Sequence, residues 1–467
     1  MSHYKPYPVY KGSGVEWLGR VPEHWDIHKL KYLARFSGGG TPSRDNLAYW
    51  NGDIPWVSPK DMKAEVIIGA EESITAEGLQ NSTTTLVAPD RVLLVVRSGI
   101  LKHTIPVAIN NVEVALNQDM KALSFKPDQA LSGFFLRWVQ GFNDDLLQAW
   151  LKQGATVESI EQEYLADTII PMPSVHEQKM IVDHLDRETA RIDGLVQKKT
   201  RFIELLREKR QALITHAVTK GLSGLPGANR NAGACDGGPQ GEGRESPSTP
   251  VKMKDSGVEW LGEVPEHWEA LPLRRVVAAV KTGGTPSEEQ PSTDADGLAW
   301  YTPGDFDGSL ILASSEKRVS ALAVATGEAK VYPTGSVLVV SIGATLGKVG
   351  FIVEPASANQ QINAVVPNAR MDGYFLAYSL SVKTEAMWFL ANAATIGIMN
   401  QEKTKEIWLS VPPPTEQKEI AEYLDKETNR LDTLLGKTER SIALLKERRS
   451  ALIAAAVTGQ IDLREAV

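Results

Sequence analysis

The sequence predicts an α+β protein: two pseudo-repeated α/β domains separated by an antiparallel coiled coil of two long helices. Three observations carry that prediction. Residues 177–219 return without a gap as 416–458, and 24 of the 43 aligned positions are identical. Both copies set apolar residues at a seven-residue step, Leu185, Ile192, Leu206 and Leu213 in the first and Leu424, Leu431, Leu445 and Leu452 in the second, which is the interface seam of a coiled coil. Ahead of each helix lies a domain of about 160 residues in which valine- and isoleucine-rich runs, Val92 to Val96, Val337 to Ser341 and Lys348 to Val353, alternate with turn residues as strands do.

The helices come first because they set the frame. A companion apolar row follows the seam at Leu195, Phe202 and Ile203, and again at Leu434, Leu435 and Ile442. Both seams break at the same place, Lys199 and Thr438, where a polar residue fixes register. A 43-residue helix is roughly 65 Å long, more than one small domain can bury, so it needs a partner. One chain with two matched seams points to pairing with itself, antiparallel if the second domain reverses the path; homodimerisation remains the alternative. Ser174 and Glu177 fit a capping box at the first helix start, and Pro412-Pro413-Pro414 forms a stiff lead-in to the second. The boundaries that follow are 1–173 (first domain), 174–221 (first helix), 222–250 (a Gly-rich flexible linker), 251–411 (second domain) and 412–467 (second helix).

The domains repeat as well. Residues 13–25, SGVEWLGRVPEHW, return at 256–268 as SGVEWLGEVPEHW, and Gly39-Gly40-Thr41-Pro42-Ser43 returns as Gly283-Gly284-Thr285-Pro286-Ser287. Trp56-Val57-Ser58-Pro59-Lys60-Asp61 is echoed by Trp300-Tyr301-Thr302-Pro303-Gly304-Asp305, and Asn117-Gln118 by Asn359-Gln360. The frame is kept while the content between the marks differs, a pattern that two readers of different targets produce. Short helical patterns appear at Gly133 to Trp150 and Gly373 to Ala391.

Composition bounds the class. An apolar fraction of 42% over 467 residues is ample for real cores. No apolar window approaches the roughly 20 residues that span a bilayer, and the N-terminus has no apolar run, so a soluble intracellular protein is expected. The single cysteine, Cys235, excludes a disulfide framework or thiolate metal site within the chain. The net charge of −8 is unusual for a chain that grips DNA unaided. Either a local basic patch sits on an acidic body, or partner subunits supply much of the phosphate contact.

The search for chemistry is negative. Gly343 to Val349 departs from a phosphate loop in glycine spacing and in lacking the closing Ser or Thr. Glu177-Gln178-Lys179 and Glu416-Gln417-Lys418 have a nuclease-like shape, but no acidic residue stands near them at suitable spacing, and they read as first-turn residues suited to the helix dipole. The histidines form no close metal-binding pair; His24 and His267 read as packing residues. Trp17, Trp25, Trp260 and Trp268 suit a shared core better than base stacking. No Ser/His/Asp signature or methyltransferase motif appears.

In the order of its parts, the chain resembles the specificity subunit of type I restriction-modification systems. The residues that carry the resemblance are SGVEWLGxVPEHW, Gly-Gly-Thr-Pro-Ser and Asn-Gln, each in both copies, and the Glu-Gln-Lys opening of each helix with its Ala-Val-Thr end at Ala217–Thr219 and Ala456–Thr458. The resemblance implies target-recognition domains that each read one half of a split, asymmetric double-stranded DNA site, with the helices as spacer and as the dock for modification subunits, two of them. Those subunits would methylate adenine with S-adenosylmethionine, and a separate restriction and translocation motor would cut; this chain would be non-catalytic, bind no cofactor of its own and work in a prokaryotic cytoplasm. The linker is longer and richer in glycine than that family's usual pattern.

Base-edge reading needs polar and basic side chains on loops. In the first domain the candidates are Arg97, Ser98, Lys102 and His103, the densest basic loop after a buried strand, and then Thr41, Ser43 and Lys60; in the second they are Ser341, Thr345 and Lys348. The basic runs Arg207, Lys209, Arg210 and Lys446, Arg448, Arg449 suit the helix C-termini and could touch phosphate or a partner. Two other readings stay open on residues alone: an enzyme with its own site, and a coiled-coil scaffold without a DNA role.

Overall fold

The structure is a computed structural model, and it describes residues 4–152, 154, 157–228, 251–286, 297–391 and 397–464. Cys235 and most of the Gly-rich linker lie outside the described residues. The chain forms two compact units, residues 1–200 with 439–467, and residues 201–438.

Each unit is built around a five-stranded mixed sheet with the same strand order. In the first the spatial order is Ala34–Gly38, Met120–Phe125, Val92–Val95, Val107–Asn110 and Val66–Ile67; in the second it is Val277–Thr282, Ile362–Pro367, Val337–Val340, Val349–Ile352 and Ile311–Leu312. Only the edge pair is parallel, Val66 opposite Ile109 in one unit and Ile311 opposite Phe351 in the other. The central strands Val92–Val95 and Val337–Val340 are buried throughout, which is why they read as continuous apolar runs rather than alternating ones. A three-stranded sheet accompanies each, centred on Trp50–Val57 and on Leu298–Tyr301.

The first long helix is Val175–Lys220 and the second Pro414–Val457. Proline at the start of the second is tolerated because a first-turn N–H has no intrahelical partner. Within the first unit, Ile181 and Leu185 share one core with Leu452, Ile453, Ala456, Val457, Trp25 and Trp138. Within the second, Ile214, Ala217 and Val218 share a core with Ile420, Ala421, Leu424 and Trp268. The early part of one helix thus meets the late part of the other, an antiparallel pairing in each unit. The ion pairs agree: Arg449 lies 3.0 Å from Asp193 in the first unit, and their repeat counterparts Arg210 and Asp432 lie 3.2 Å apart in the second. Leu185, Ile192, Leu206, Leu424, Leu431 and Leu452 are buried, with Leu213 and Leu445 half-buried. The companion row departs from expectation: Ile203 is buried, but Leu195, Phe202 and Leu434 are exposed, because the domain-facing side of each helix, not this row, carries most of the packing.

Among the described residues, no helix is long and apolar enough to cross a membrane.

Candidate nucleic-acid interface

The repeated motifs pair with one another, and each pairing occurs twice. The first joins the Pro-Glu-His-Trp turn to the helix-opening glutamate. Glu177 is buried and accepts from the Tyr7 hydroxyl at 2.5 Å, the Trp25 indole at 3.2 Å and His24 Nε2 at 3.1 Å. Glu416 accepts from Trp268 at 3.1 Å and pairs with His267 at 2.9 Å. Burial, and then the bond to Glu177, push the Tyr7 hydroxyl far above its ordinary pKa, so it stays a neutral donor. His24 and His267 are therefore hydrogen-bond partners of a carboxylate and not simple packing residues. The expected capping box is half made: the Glu177 amide donates to Ser174 Oγ at 3.3 Å, while the Glu177 carboxylate is held by the turn and does not fold back. The neighbouring glutamines act as clamps. Buried Gln178 accepts from the Leu131 amide at 2.9 Å, and buried Gln417 from the Asp372 amide at 2.7 Å.

The second junction gathers the remaining three motifs. Trp56 Nε1 donates to the Gly40 carbonyl at 2.9 Å and Trp300 Nε1 to that of Gly284 at 3.1 Å. The Gly40 amide donates to the Leu116 carbonyl at 2.8 Å and the Gly284 amide to that of Ala358 at 2.9 Å. A side chain on Gly39 would overlap the Asn117 carbonyl oxygen, and one on Gly283 that of Asn359. Asp61 accepts from the Ser58 amide and hydroxyl, as Asp305 does from those of Thr302. Above this knot the Thr41 hydroxyl donates to Gln118 Oε1, and the Thr285 hydroxyl to Gln360 Oε1; all four residues are exposed. Each threonine thereby fixes which way the amide faces.

In the first unit this junction draws the candidate readers together. Asp119, next to Gln118, accepts from Arg97 Nε at 2.6 Å, so the loop after Val92–Val95 and the Gly-Gly-Thr-Pro loop meet at residues 117–119. Ser98 accepts from the Ile100 amide and caps the turn Gly99–Lys102; Lys102 and His103 are exposed beyond it. Ser43 and Lys60 are exposed, and Ser43 holds the Trp50 indole through its carbonyl at 3.0 Å. Sequence reasoning missed Arg44, whose guanidinium lies 3.9 Å over the Trp50 ring. Its hydrogen bond holds the Glu72 carboxyl below the usual range, and the Lys60 charge adds to that. The signal was available as a cation beside the tryptophan-bearing strand, but not which tryptophan it would meet.

The second unit is less uniform. Ser341 is buried and donates to the Gln361 carbonyl at 2.9 Å, so its hydroxyl serves the fold. Lys348 is exposed and donates to the Phe306 carbonyl at 2.6 Å, while Thr345 is half-buried at the rim of a pocket. Ser287 lies outside the described residues. Trp25 and Trp268 are fully buried, as a shared core requires, and Trp17 packs on Phe142. Trp260 departs from that expectation: it is exposed, at the edge of an open pocket that it lines with Phe389 and Leu390. Of the basic helix runs, Arg449 pairs with Asp193 and Glu65, and Arg210 with Asp432, so both serve the helix packing. Among the described residues, no cluster of three or more side chains could hold a metal ion.

A duplicated sheet carrying a duplicated loop junction, each copy locked by a glutamate to paired long helices, defines a tandem pseudo-repeat of two α/β domains. The sequence profile of the type I restriction modification DNA specificity domain matches residues 22–204 and again 265–442, and the chain belongs to that family. It is 35% identical over 197 residues to the EcoR124I/EcoR124II specificity subunit of Escherichia coli, a match covering 42% of this chain and 46% of that one. A second relative, the MjaIX specificity subunit of Methanocaldococcus jannaschii, is 28% identical over 195 residues and 42% of its length is covered. The chain thus spans under half the length of these two relatives. Against the putative MjaX specificity subunit of the same archaeon it is 20% identical over 96% of both chains. Among solved structures, a chain from a study of assembly and conformational transition of the type I R-M system superposes with TM-score 0.69 at 15% identity, covering 94% of this chain and 99% of that one. The HsdS subunit from Thermoanaerobacter tengcongensis gives 0.51 at 15% identity, covering 94% and 98%. These likenesses concern the fold.

Proposed function

We propose that this chain is the DNA sequence-specificity subunit of a type I restriction-modification complex, itself non-catalytic. Residues 1–173 and 251–411 each read one half of a bipartite, asymmetric double-stranded site, and the helices in 174–221 and 412–467 set the spacer between the halves. The observation that carries the reading is the duplicated junction: one scaffold, built twice, with different side chains between the same fixed marks. The Thr41–Gln118 and Thr285–Gln360 pairs recur in both readers, so they suit the phosphate backbone that every sequence shares. Lys60, Arg97, Ser98, Lys102 and His103 in the first domain, with Arg44 beside them, and Thr345 and Lys348 in the second, differ between the readers and face base edges or nearby phosphates; Ser43, which recurs as Ser287, joins the shared backbone contacts.

Two modification subunits dock on the helices, bind S-adenosylmethionine and methylate adenine; a motor subunit restricts; all of it takes place in the cytoplasm. Supporting a two-fold dock, Leu195 and its repeat counterpart Leu434 are both exposed, as are Leu205 and its counterpart Leu444. The acidic balance of the chain fits a complex in which partners supply part of the phosphate contact.

The test is an adenine methylation map of the host chromosome with and without this chain. A split asymmetric motif should lose its methylation, and exchanging residues 251–411 for those of another member should change one half only. Lengthening both helices by one matched heptad, about 10.5 Å, should add about three base pairs to the spacer at 3.4 Å per base pair and leave both halves unchanged. Unaltered methylation in every case would favour the scaffold reading. In binding assays on the assembled complex, Gln118→Ala should weaken cognate and non-cognate DNA alike, by about tenfold to a hundredfold, the worth of one hydrogen bond to a charged phosphate; a loss confined to cognate DNA would move Gln118 to base reading.

A further inference from the structure

The repeat sets two equivalent arginines in different surroundings. In the first unit, Arg449 Nη2 donates to Glu65 Oε1 at 2.7 Å while its Nε lies 3.0 Å from Asp193. Arg137 joins the same glutamate at 3.0 Å, and Gln140 donates to it at 2.9 Å. Burial alone would raise the Glu65 pKa, but Arg137, Arg449 and Gln140 outweigh it and hold the carboxyl below the usual range.

In the second unit, Arg210 keeps the counterpart of Asp193, with Asp432 at 3.2 Å, but loses the glutamate. Strand register identifies the replacement: the Ile109 amide donates to the Glu65 carbonyl, and the Phe351 amide, at the equivalent place, donates to the carbonyl of Leu310. The glutamine clamps identify a second one, since Leu131 and Asp372 are equivalent under them and Tyr378 then stands for Arg137. The space does not collapse. A pocket of about 410 Å³ remains, lined by Arg210, Leu310, Thr345, Tyr378, Thr384 and Trp388. Asp432 lies off the direction of the Arg210 Nε–H, and that buried nitrogen has no hydrogen-bond acceptor. A buried guanidinium donor without an acceptor is costly, and a carboxylate is its best geometric match.

We propose that this pocket is a carboxylate-binding site anchored by Arg210, in which the ligand occupies the volume that Glu65 fills in the first unit. The apolar wall of Leu310 and Trp388 suits the methylenes of a glutamate-like group. A planar guanidinium that already stands beside one carboxylate, Asp432 at 3.2 Å, suits a second monoanionic carboxylate better than a phosphate dianion. The carboxylate comes either from an acidic side chain of a protein partner or from a small free dicarboxylate. The site does not depend on the chain's reading DNA.

A double-mutant cycle on the full chain tests it. Leu310→Glu should melt no lower than the wild type, since it restores in cis the pair seen at Glu65, whereas in an Arg210→Gln background the same change should lower the midpoint by several degrees. Glutarate at constant ionic strength should raise the wild-type midpoint saturably, and that response should vanish in Arg210→Gln and in Leu310→Glu. An equal loss from Leu310→Glu in both backgrounds, a glutarate response that survives Arg210→Gln, or an equal response to inorganic phosphate would each overturn the proposal. With the site established, at least tenfold weaker assembly of Leu310→Glu with modification subunits assigns the carboxylate to the partner; unchanged assembly assigns it to the free acid.

Discussion

Replacing Glu177 with alanine should destabilise the first unit by about 2 to 6 kcal/mol, the cost of leaving two buried donors without an acceptor. The reason is what the deletion leaves behind. Trp25 is fully buried and Tyr7 nearly so, and both aim their donors at this one carboxylate. Without it, two desolvated donors lose their acceptor and His24 loses its partner. The equivalent change at Glu416 should cost less, about 1 to 2 kcal/mol, because that side chain is 28% exposed and water can replace it as acceptor for Trp268 and His267. Urea unfolding of the purified chain, followed by tryptophan fluorescence, measures both, with Trp25 and Trp268 as reporters beside the altered sites. Equal midpoint shifts for the two variants would show that the carboxylates are ordinary first-turn residues and that the turn-to-helix lock is unimportant.

Gly39→Ala should be about as severe, at about 3 kcal/mol or more, because the added carbon would overlap main chain on the opposite loop and not a side chain that can swing away. Gly38→Ala is the internal control: a side chain there meets nothing within 4 Å, so its effect should stay within about 0.5 kcal/mol. The comparison separates close backbone approach from a general dislike of substitution in this loop. Gly283→Ala should repeat the result in the second unit. Thermal melts of the three variants decide it, and near-identical midpoints for Gly38→Ala and Gly39→Ala would mean that the junction yields where it is drawn tight.

Much of this architecture was legible before any coordinate. The heptad step placed both helices and most of their buried residues, since the 3.6-residue period leaves a local trace that survives without knowledge of the partner. The repeated motifs were equally plain as text. Their purpose was not: Pro-Glu-His-Trp and Glu-Gln-Lys stand about 150 residues apart, and nothing local says that His24 and Trp25 donate to Glu177. Arg44 against Trp50 and the burial of Ser341 stayed hidden although their partners are near in sequence, because a side chain in a loop or at the end of an apolar strand reads alike whether it faces solvent or packs on its neighbour.

The sequence by itself determined the two long helices, their self-complementary seams, the duplication of the domains and the family, all of which rest on periodicity and on order along the chain. Only the tertiary structure decided which motifs hold one another, which helix face is left bare at Leu195 and Leu434, and which of two equivalent arginines lacks its glutamate. Those outcomes depend on long-range partners and on water excluded from particular atoms. A hydrogen bond between groups 150 residues apart is set by packing of the whole unit, which neither side of the bond encodes alone.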